Sequence, residues 1–390
     1  MQNVVIVGGG AIGCSAAYHL ATHPRFAGRI TVVERDPSYA RASSALSASG
    51  IRQQFSTPVS IRMSQYGLGF IRAARERLAV EGDAPDLAFK EHGYLFLASA
   101  AGLPVLRENV ALQQAEGADI ALLDPAALTA RFPWLRVDDL AAGAFGESGE
   151  GSFDGPALLQ ALRRKARALG VRFVAQECTG FVRAGTQVRG VVLANGEALD
   201  CDELVVSAGA WSGRVAAWLD VAMPIVPRRR MVFVVACPEK LPRCPLVIDP
   251  TGIWFRQEGA YFLTGRSPGE DEPDPDEPPL EVEEEMFTER VWPVLAERVP
   301  AFERLKVTSS WAGYYELNLF DHNGIVGRHP AVANAVFAAG FSGHGMQHSP
   351  ATGRAVAELI ADGGFTTLDL SPLGWSRLIE GRPMWERNVV

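Results

Sequence analysis

The sequence predicts an α/β fold, α+β overall, in which a Rossmann-like domain is interleaved with a domain built on a mostly antiparallel β-sheet. Three observations carry this expectation. The chain opens with VVIVGGGAIGCSAAYHLA followed by ITVVERD: a strand, a glycine turn, a helix and a second strand ending in an acid. A second strand, glycine-rich turn and helix lie near its end, in AVFAAGFSGHGMQHSPATGRAVAELI. Between them, MVFVVA, GIWFRQ and AYFLTG have the short, β-branched and aromatic character of antiparallel strands.

In the opening motif Gly8, Gly10 and Gly13 fill the G-x-G-x-x-G positions around Ala11 and Ile12. The first glycine permits a tight turn, the second leaves no Cβ between backbone and a pyrophosphate, and the third allows the helix to pack closely on the strand. The pyrophosphate is then expected at the positive helix N-terminus. Glu34 closes the second strand about 20 residues beyond the turn, where a carboxylate accepts hydrogen bonds from ribose hydroxyls and repels a 2′-phosphate. The pattern therefore points to FAD or NAD and away from NADP.

Along the chain, Ser60 to about Leu78 reads as an amphipathic helix with Ile61, Leu68, Ile71 and Leu78 near one face. GYLFLAS and the run after Gly143 read as strands, with a helix from Val105 to Glu116 between them. DGPALLQALRRKARALGVRFV reads as a helix and a strand, and ELVVSAGAWS as a buried strand entering a small-residue turn. Arg228, Arg229 and Arg230 form a basic cluster before a strand; one of them is a candidate for the active site, and the other two are expected to be solvated. The acidic, proline-rich run from Glu270 to Glu285 is expected to be a solvated loop without a catalytic role. Near the C-terminus the spacing of Gly340, Gly343 and Gly345 does not suit a second dinucleotide, but the loop's amides and helix dipole suit a delocalised anion such as the N1/C2 region of a reduced flavin. That helix is expected to begin near Ser349 or Pro350.

Composition narrows the function classes. A 47% hydrophobic content over 390 residues describes a soluble enzyme with a large core, and a net charge of −8 disfavours nucleic acid. The cysteines Cys14, Cys178, Cys201, Cys237 and Cys244 are odd in number and lack a C-x-x-C pair, so neither a disulfide framework nor a metal site is expected. A reducing, cytoplasmic location follows as an expectation. No stretch reads as a signal peptide or membrane span, and the start at the first strand favours a bacterial cytosolic protein.

The opening motif, together with VVSAGAWS, WAGYYE, DHNGIVG and AAGFSGHGMQHSPATGRAVAELI, resembles the amine- and amino-acid-oxidising flavoproteins that include D-amino acid oxidase, glycine oxidase and sarcosine oxidase. SGIRQQFSTP and RVPAFERLKVTSSWAGYYELNLFDHNGIVG resemble a subgroup connected with respiratory-complex assembly. The resemblance implies FAD bound through Gly8, Gly10, Gly13 and Glu34, with Arg35, Ser43, Ser44, Ser47, Ala48 and Ser49 near the pyrophosphate and flavin. It implies further that Cys178 offers backbone contacts to the adenine, and that Ala208, Gly209 and Gly313 lie beside the cofactor. Gly343, His344, Gly345, Met346 and Gln347 would line the flavin's pyrimidine edge. FAD-binding segments 1–90, 141–220 and 320–375 would alternate with substrate-binding segments 91–140 and 221–319, leaving a tail at 376–390.

The implied reaction is oxidation of a secondary amine or N-substituted amino acid by hydride transfer to flavin N5, giving an imine. Arg52 stands where sarcosine-oxidising relatives grip the substrate carboxylate, which a guanidinium does bidentately. Phe55, Trp254, Tyr314 and Tyr315 are candidate pocket walls, and His344 is a candidate acid or base. Three departures refine this. Tyr315 replaces the carboxylate-binding arginine of amino-acid oxidases, which disfavours a simple D-amino acid or glycine. Ala312 lies near the position of the cysteine that attaches flavin in sarcosine oxidases, so the FAD is expected to be noncovalent. Leu263 and Gln347 replace lysines for oxygen activation and for substrate binding, so a quinone or electron-transfer protein is the expected acceptor. A 2-hydroxy acid dehydrogenase and a flavin-bound assembly protein of a respiratory complex remain as alternatives.

Overall fold

The computed structural model describes residues 1–269 and 272–387. Its first sheet has six strands, in the order Ile325–His329, Val332–Ala339, Glu203–Val206, Asn3–Val7, Arg29–Glu34 and Arg172–Ala175. Neighbours run parallel except for the hairpin at the Ile325–His329 edge. Within Asn3–Val7 the residues from Val4 to Val7 form a continuous apolar run because both faces of the strand are covered. Val4 and Ile6 join a cluster with Ala16 and Leu20 of helix Ala11–Ala21 and Ala351 and Val356 of helix Gly345–Ala361. Val5 and Val7 face the other way, toward Val188, Val191 and Leu199 of a three-stranded sheet, Cys178–Ala184, Gln187–Leu193 and Ala198–Asp200. The carboxyl ends of the parallel strands thus share one edge, where ligands bind in such sheets.

The second sheet has eight strands, in the order Lys306–Asn318, Ile225–Ala236, Tyr261–Gly265, Trp254–Glu258, Leu246–Ile248, Tyr94–Ala98, Ala142–Gly146 and Ile120–Leu123. Only Leu246–Ile248 and Tyr94–Ala98 pair in parallel, so the sheet is mostly antiparallel, as expected. Ala142–Gly146 belongs here, although the division above groups it with the nucleotide-binding segments. One face packs on Phe287, Val291 and Phe302, with Phe302 meeting Phe255 and Phe262 edge-on at ring separations of 5.1 and 5.0 Å.

Four local expectations are corrected. The helix read from Ser60 to Leu78 is Pro58–Arg72 followed by the short Ala74–Arg77, although all four apolar residues named for its face are buried. The helix expected to start near Ser349 starts at Gly345 and contains Pro350. Proline lacks the N–H that would reach the Met346 carbonyl; the Ser349 hydroxyl donates to that oxygen instead, at 2.9 Å. The arginine cluster lies inside strand Ile225–Ala236, not before it.

The acidic run is also more than a solvated loop. Asp274 pairs with Arg230 at 2.9 Å, Asp276 with Arg228, and Glu283 with Arg229, while Glu277 accepts from Trp211 Nε1 at 2.9 Å. Three adjacent arginines in one strand need counter-charges on both faces, and the strap supplies them; Glu270 and Asp271 lie outside the described residues. The described part of the tail is likewise packed down. Arg377 pairs with the buried Asp321 at 2.7 Å, and Glu386 accepts from the Ser56 N–H at 2.8 Å; residues 388–390 lie outside the described residues.

Candidate functional site

A cavity of about 390 Å³ extends from the carboxyl edge of the first sheet onto the second. At the first sheet it is bordered by Gly8, Gly10, Ala11, Ile12, Glu34 and Arg35. Gly8 has φ +100°, and a Cβ there would meet the Ser207 carbonyl oxygen at 2.3 Å, so only glycine fits. Gly13 does not border the cavity; a Cβ on it would lie 1.9 Å from the Gly8 carbonyl oxygen, which makes its role the close seating of helix on strand. Helix Ala11–Ala21 has neither a side-chain cap nor an acid in its first turn, so its N-terminal donors remain open to an anion. Glu34 is fixed by the N–H groups of Gly9 and Asp36 at 2.8 and 2.9 Å, which leaves further lone pairs on its oxygens toward the cavity.

Between the sheets run Ser43, Ser44, Ser47, Ala48 and Ser49, all bordering the cavity. Side chains of the second sheet hold this loop: Arg256 donates to the Ala48 carbonyl at 2.7 Å and Trp311 to the Leu46 carbonyl at 2.9 Å. Cys178, Ala208, Gly209 and Gly313 border the cavity as well, as do Gly343, His344, Gly345, Met346 and Gln347. Arg35 lies over the Trp211 ring at 3.9 Å, and both belong to the wall.

Where the second sheet closes the cavity, Arg52, Tyr314, Tyr315 and Trp254 line it. Arg52 is 6% exposed; its guanidinium donates to the Gln54 carbonyl at 2.5 Å and lies 4.2 Å over Phe55, while its backbone N–H donates to Gln347 Oε1 at 2.8 Å. Burial lowers its pKa from the ordinary arginine value, with Glu386, Tyr94 and Glu150 opposing. Tyr315 donates to the Ser342 carbonyl at 2.6 Å, and burial pushes its phenol up to about 12. Tyr314 donates to the Pro278 carbonyl at 2.9 Å.

Two wall expectations change. Phe55 is fully buried beneath Arg52 and does not border the cavity. His344 does border it, but burial, with His348 beside it, pulls its pKa well below the ordinary value, which favours the neutral imidazole and with it the base over the acid of the two roles considered.

Sequence reading missed several residues. Tyr94, Trp211, Arg266 and Glu316 also line the cavity, and of the three arginines only Arg230 reaches it. Glu150, wholly buried, accepts from the N–H groups of Gln53 and Gln54 at 2.6 and 3.1 Å and from Gln54 Nε2 at 2.8 Å, which sets the loop that carries Arg52. Burial pushes its pKa up to about 7. Glu147 and Glu150 in GESGEGSF carry no spacing signal that would reveal which of them is buried.

The family model of the FAD dependent oxidoreductases matches residues 3–359. The chain belongs to that family. FAD is therefore its cofactor, and the glycine cradle, open helix N-terminus and fixed Glu34 carboxylate fit the nucleotide half of that molecule. Among relatives, FAD-dependent oxidoreductase domain-containing protein 1 of Xenopus laevis is 44% identical, covering 100% of this chain and 85% of that one. The mitochondrial sarcosine dehydrogenase of Homo sapiens is 24% identical over 93% of this chain and 40% of its own length. The crystal structure of L-proline dehydrogenase from P. horikoshii superposes with a TM-score of 0.84 at 25% identity, covering 98% of this chain and 99% of that one. As a family member the chain is an FAD-dependent oxidoreductase homologous to amino-acid oxidases and dehydrogenases. Among the described residues no helix is long and apolar enough to cross a membrane.

Proposed function

We propose that the chain oxidises a secondary amine or N-substituted amino acid whose carboxylate is held by Arg52. The observation that carries this reading is a buried guanidinium on the cavity wall, held by the Gln54 carbonyl and the Phe55 ring, on a backbone anchored by Gln347 and with Tyr315 on the same wall. Bound FAD supplies the two-electron acceptor for the C–H bond next to nitrogen. Arg52 fixes the substrate's orientation, and Tyr94, Trp254 and Tyr315 exclude water from the reacting end. The neutral His344 adds no positive charge that would repel an ammonium substrate.

The relatives bearing the names sarcosine dehydrogenase and L-proline dehydrogenase support a secondary amine, since both named compounds carry a carboxylate and a secondary nitrogen. Among the described residues no lysine borders the cavity, which supports a quinone or electron-transfer protein over oxygen as acceptor. The five cysteines are free thiols, which supports a reducing, cytoplasmic location.

Anaerobic spectra of the flavin after adding pooled N-methyl amino acids and proline, D-amino acids, or 2-hydroxy acids test the reading. The secondary-amine pool is expected to bleach the wild type. Arg52→Gln is expected to weaken substrate binding by about 10- to 100-fold, the worth of a charge-assisted bidentate pair. Bleaching by 2-hydroxy acids alone would instead establish a hydroxy-acid dehydrogenase. A flavin that dithionite reduces but no pool bleaches would favour the assembly-protein alternative.

A further inference from the structure

Glu316 is the one buried carboxylate on the cavity wall for which the reaction above has no use. It is 8% exposed and lies on strand Lys306–Asn318, next to Tyr315. Its Oε1 accepts a long bond, 3.4 Å, from the Phe341 N–H, the Gly340 N–H also acts on the carboxyl group, and its Oε2 is buried with no hydrogen-bond partner among the described residues. Leaving a buried carboxyl oxygen without a donor costs about 1–3 kcal/mol or more, so the site is built for a donor that the polypeptide does not provide.

Position identifies that donor. A Cβ on Gly209 would lie 3.9 Å from Glu316 Oε2, and one on Gly345 would lie 2.8 Å from Oε1 and 3.9 Å from Ile12 Cδ1. The carboxyl group therefore stands between the Ala208–Gly209 turn and the start of helix Gly345–Ala361, close to the first turn of helix Ala11–Ala21. On one side of it is the helix N-terminus suited to the diphosphate; on the other is the end carrying Arg52 and Tyr315. In FAD the stretch that joins the diphosphate to the ring is a polyol chain, a row of hydroxyl donors. We propose that Glu316 is a cofactor-binding residue whose carboxyl group hydrogen-bonds a ribityl hydroxyl of FAD.

Binding measurements on the full chain, freed of flavin, test this without reference to turnover. Glu316→Ala is expected to weaken FAD by about tenfold or more, the worth of a hydrogen bond to a buried carboxyl group. The same variant should leave ADP, which has the diphosphate but no ribityl chain, within about twofold of wild type. If FAD and ADP weaken together, or neither weakens, Glu316 merely supports the Phe341 turn and the proposal fails. A second measurement needs only the wild type: among FAD analogues each lacking one ribityl hydroxyl, one is expected to bind about tenfold more weakly than FAD. Analogues that all bind like FAD would overturn the assignment, whether or not the alanine variant folds.

Discussion

Gly13→Ala is expected to yield a nearly colourless protein with a lowered melting temperature, because the new methyl group has no place to go. Its Cβ would sit 1.9 Å from the Gly8 carbonyl oxygen and 2.9 Å from Ser207 Oγ, and the first of these is backbone of the turn itself. Gly8 cannot yield, since it is held at φ +100° against Ser207. The helix must lift from its strand. That disturbs packing at about 1–3 kcal/mol or more and withdraws the N-terminal donors from the diphosphate. FAD affinity should fall by about a hundredfold, since two charge-assisted bonds at about 1.5 kcal/mol each already amount to that.

Gly10→Ala separates the two effects. Its Cβ would approach only Ser44 Oγ, at 3.3 Å, and would project at the cavity wall. This variant should lose FAD while the flavin-free protein melts like flavin-free wild type. The absorbance ratio of flavin to protein and the melting curve of each variant check both statements. A fully yellow Gly13→Ala with unchanged melting would show that helix and strand are not seated as described.

The second large effect is loss of stability on mild acidification. His19 and His348 are buried, and with His92 they are driven down to about 4, about 3 and about 4, respectively, in each case first by burial; His344 shifts in the same direction. Unfolded, each would titrate near 6.5. A group whose folded pKa is depressed contributes stability that is present above its unfolded pKa and lost as the pH falls through the folded one. For His19 the loss from 6.5 to about 4 is worth roughly 3 kcal/mol.

Glu150 and Glu316 oppose this. Burial raises both to about 7 from 4.5, so their contribution is complete below 4.5 and disappears as the pH rises through 7. Between pH 4.5 and 6.5 the histidines take up protons on unfolding while the two acids release them; His322 and His329 are also shifted down by burial, so the down-shifted histidines outnumber the two acids. Stability should fall with acidification in that window, by about 1.4 kcal/mol per pH unit for each proton of net uptake. Urea unfolding at several pH values measures the slope, and Glu150→Gln should steepen it by about one proton. A flat profile from pH 6.5 to 5 would mean that these imidazoles are not buried in the neutral form.

The nucleotide half of the site was legible in the sequence because its chemistry depends on backbone and spacing. Gly8, Gly10 and Gly13 recur at fixed intervals, Glu34 follows at the end of the next strand, and all but Gly13 border the cavity. The Gly343 to Gln347 turn was legible for the same reason. Family resemblance placed Arg52, Trp254, Tyr314 and Tyr315 on the wall but misplaced Phe55, since an aromatic residue in the sequence does not reveal which side of a neighbouring guanidinium it occupies.

By itself, the sequence determined the two-sheet architecture, the FAD cradle and the family, since strand periodicity, glycine spacing and motif order are local properties of the chain. Tertiary structure alone decided that an acidic strap neutralises Arg228, Arg229 and Arg230, that Glu150 sets the Arg52 loop, and that Glu316 carries a buried oxygen without a partner. Each of these depends on which distant residues surround a charge once water has been removed. Asp274 lies 44 residues from Arg230, and Glu150 lies 97 from Gln53. Desolvation is created by the packing of both sheets together, so no pattern within one segment records it.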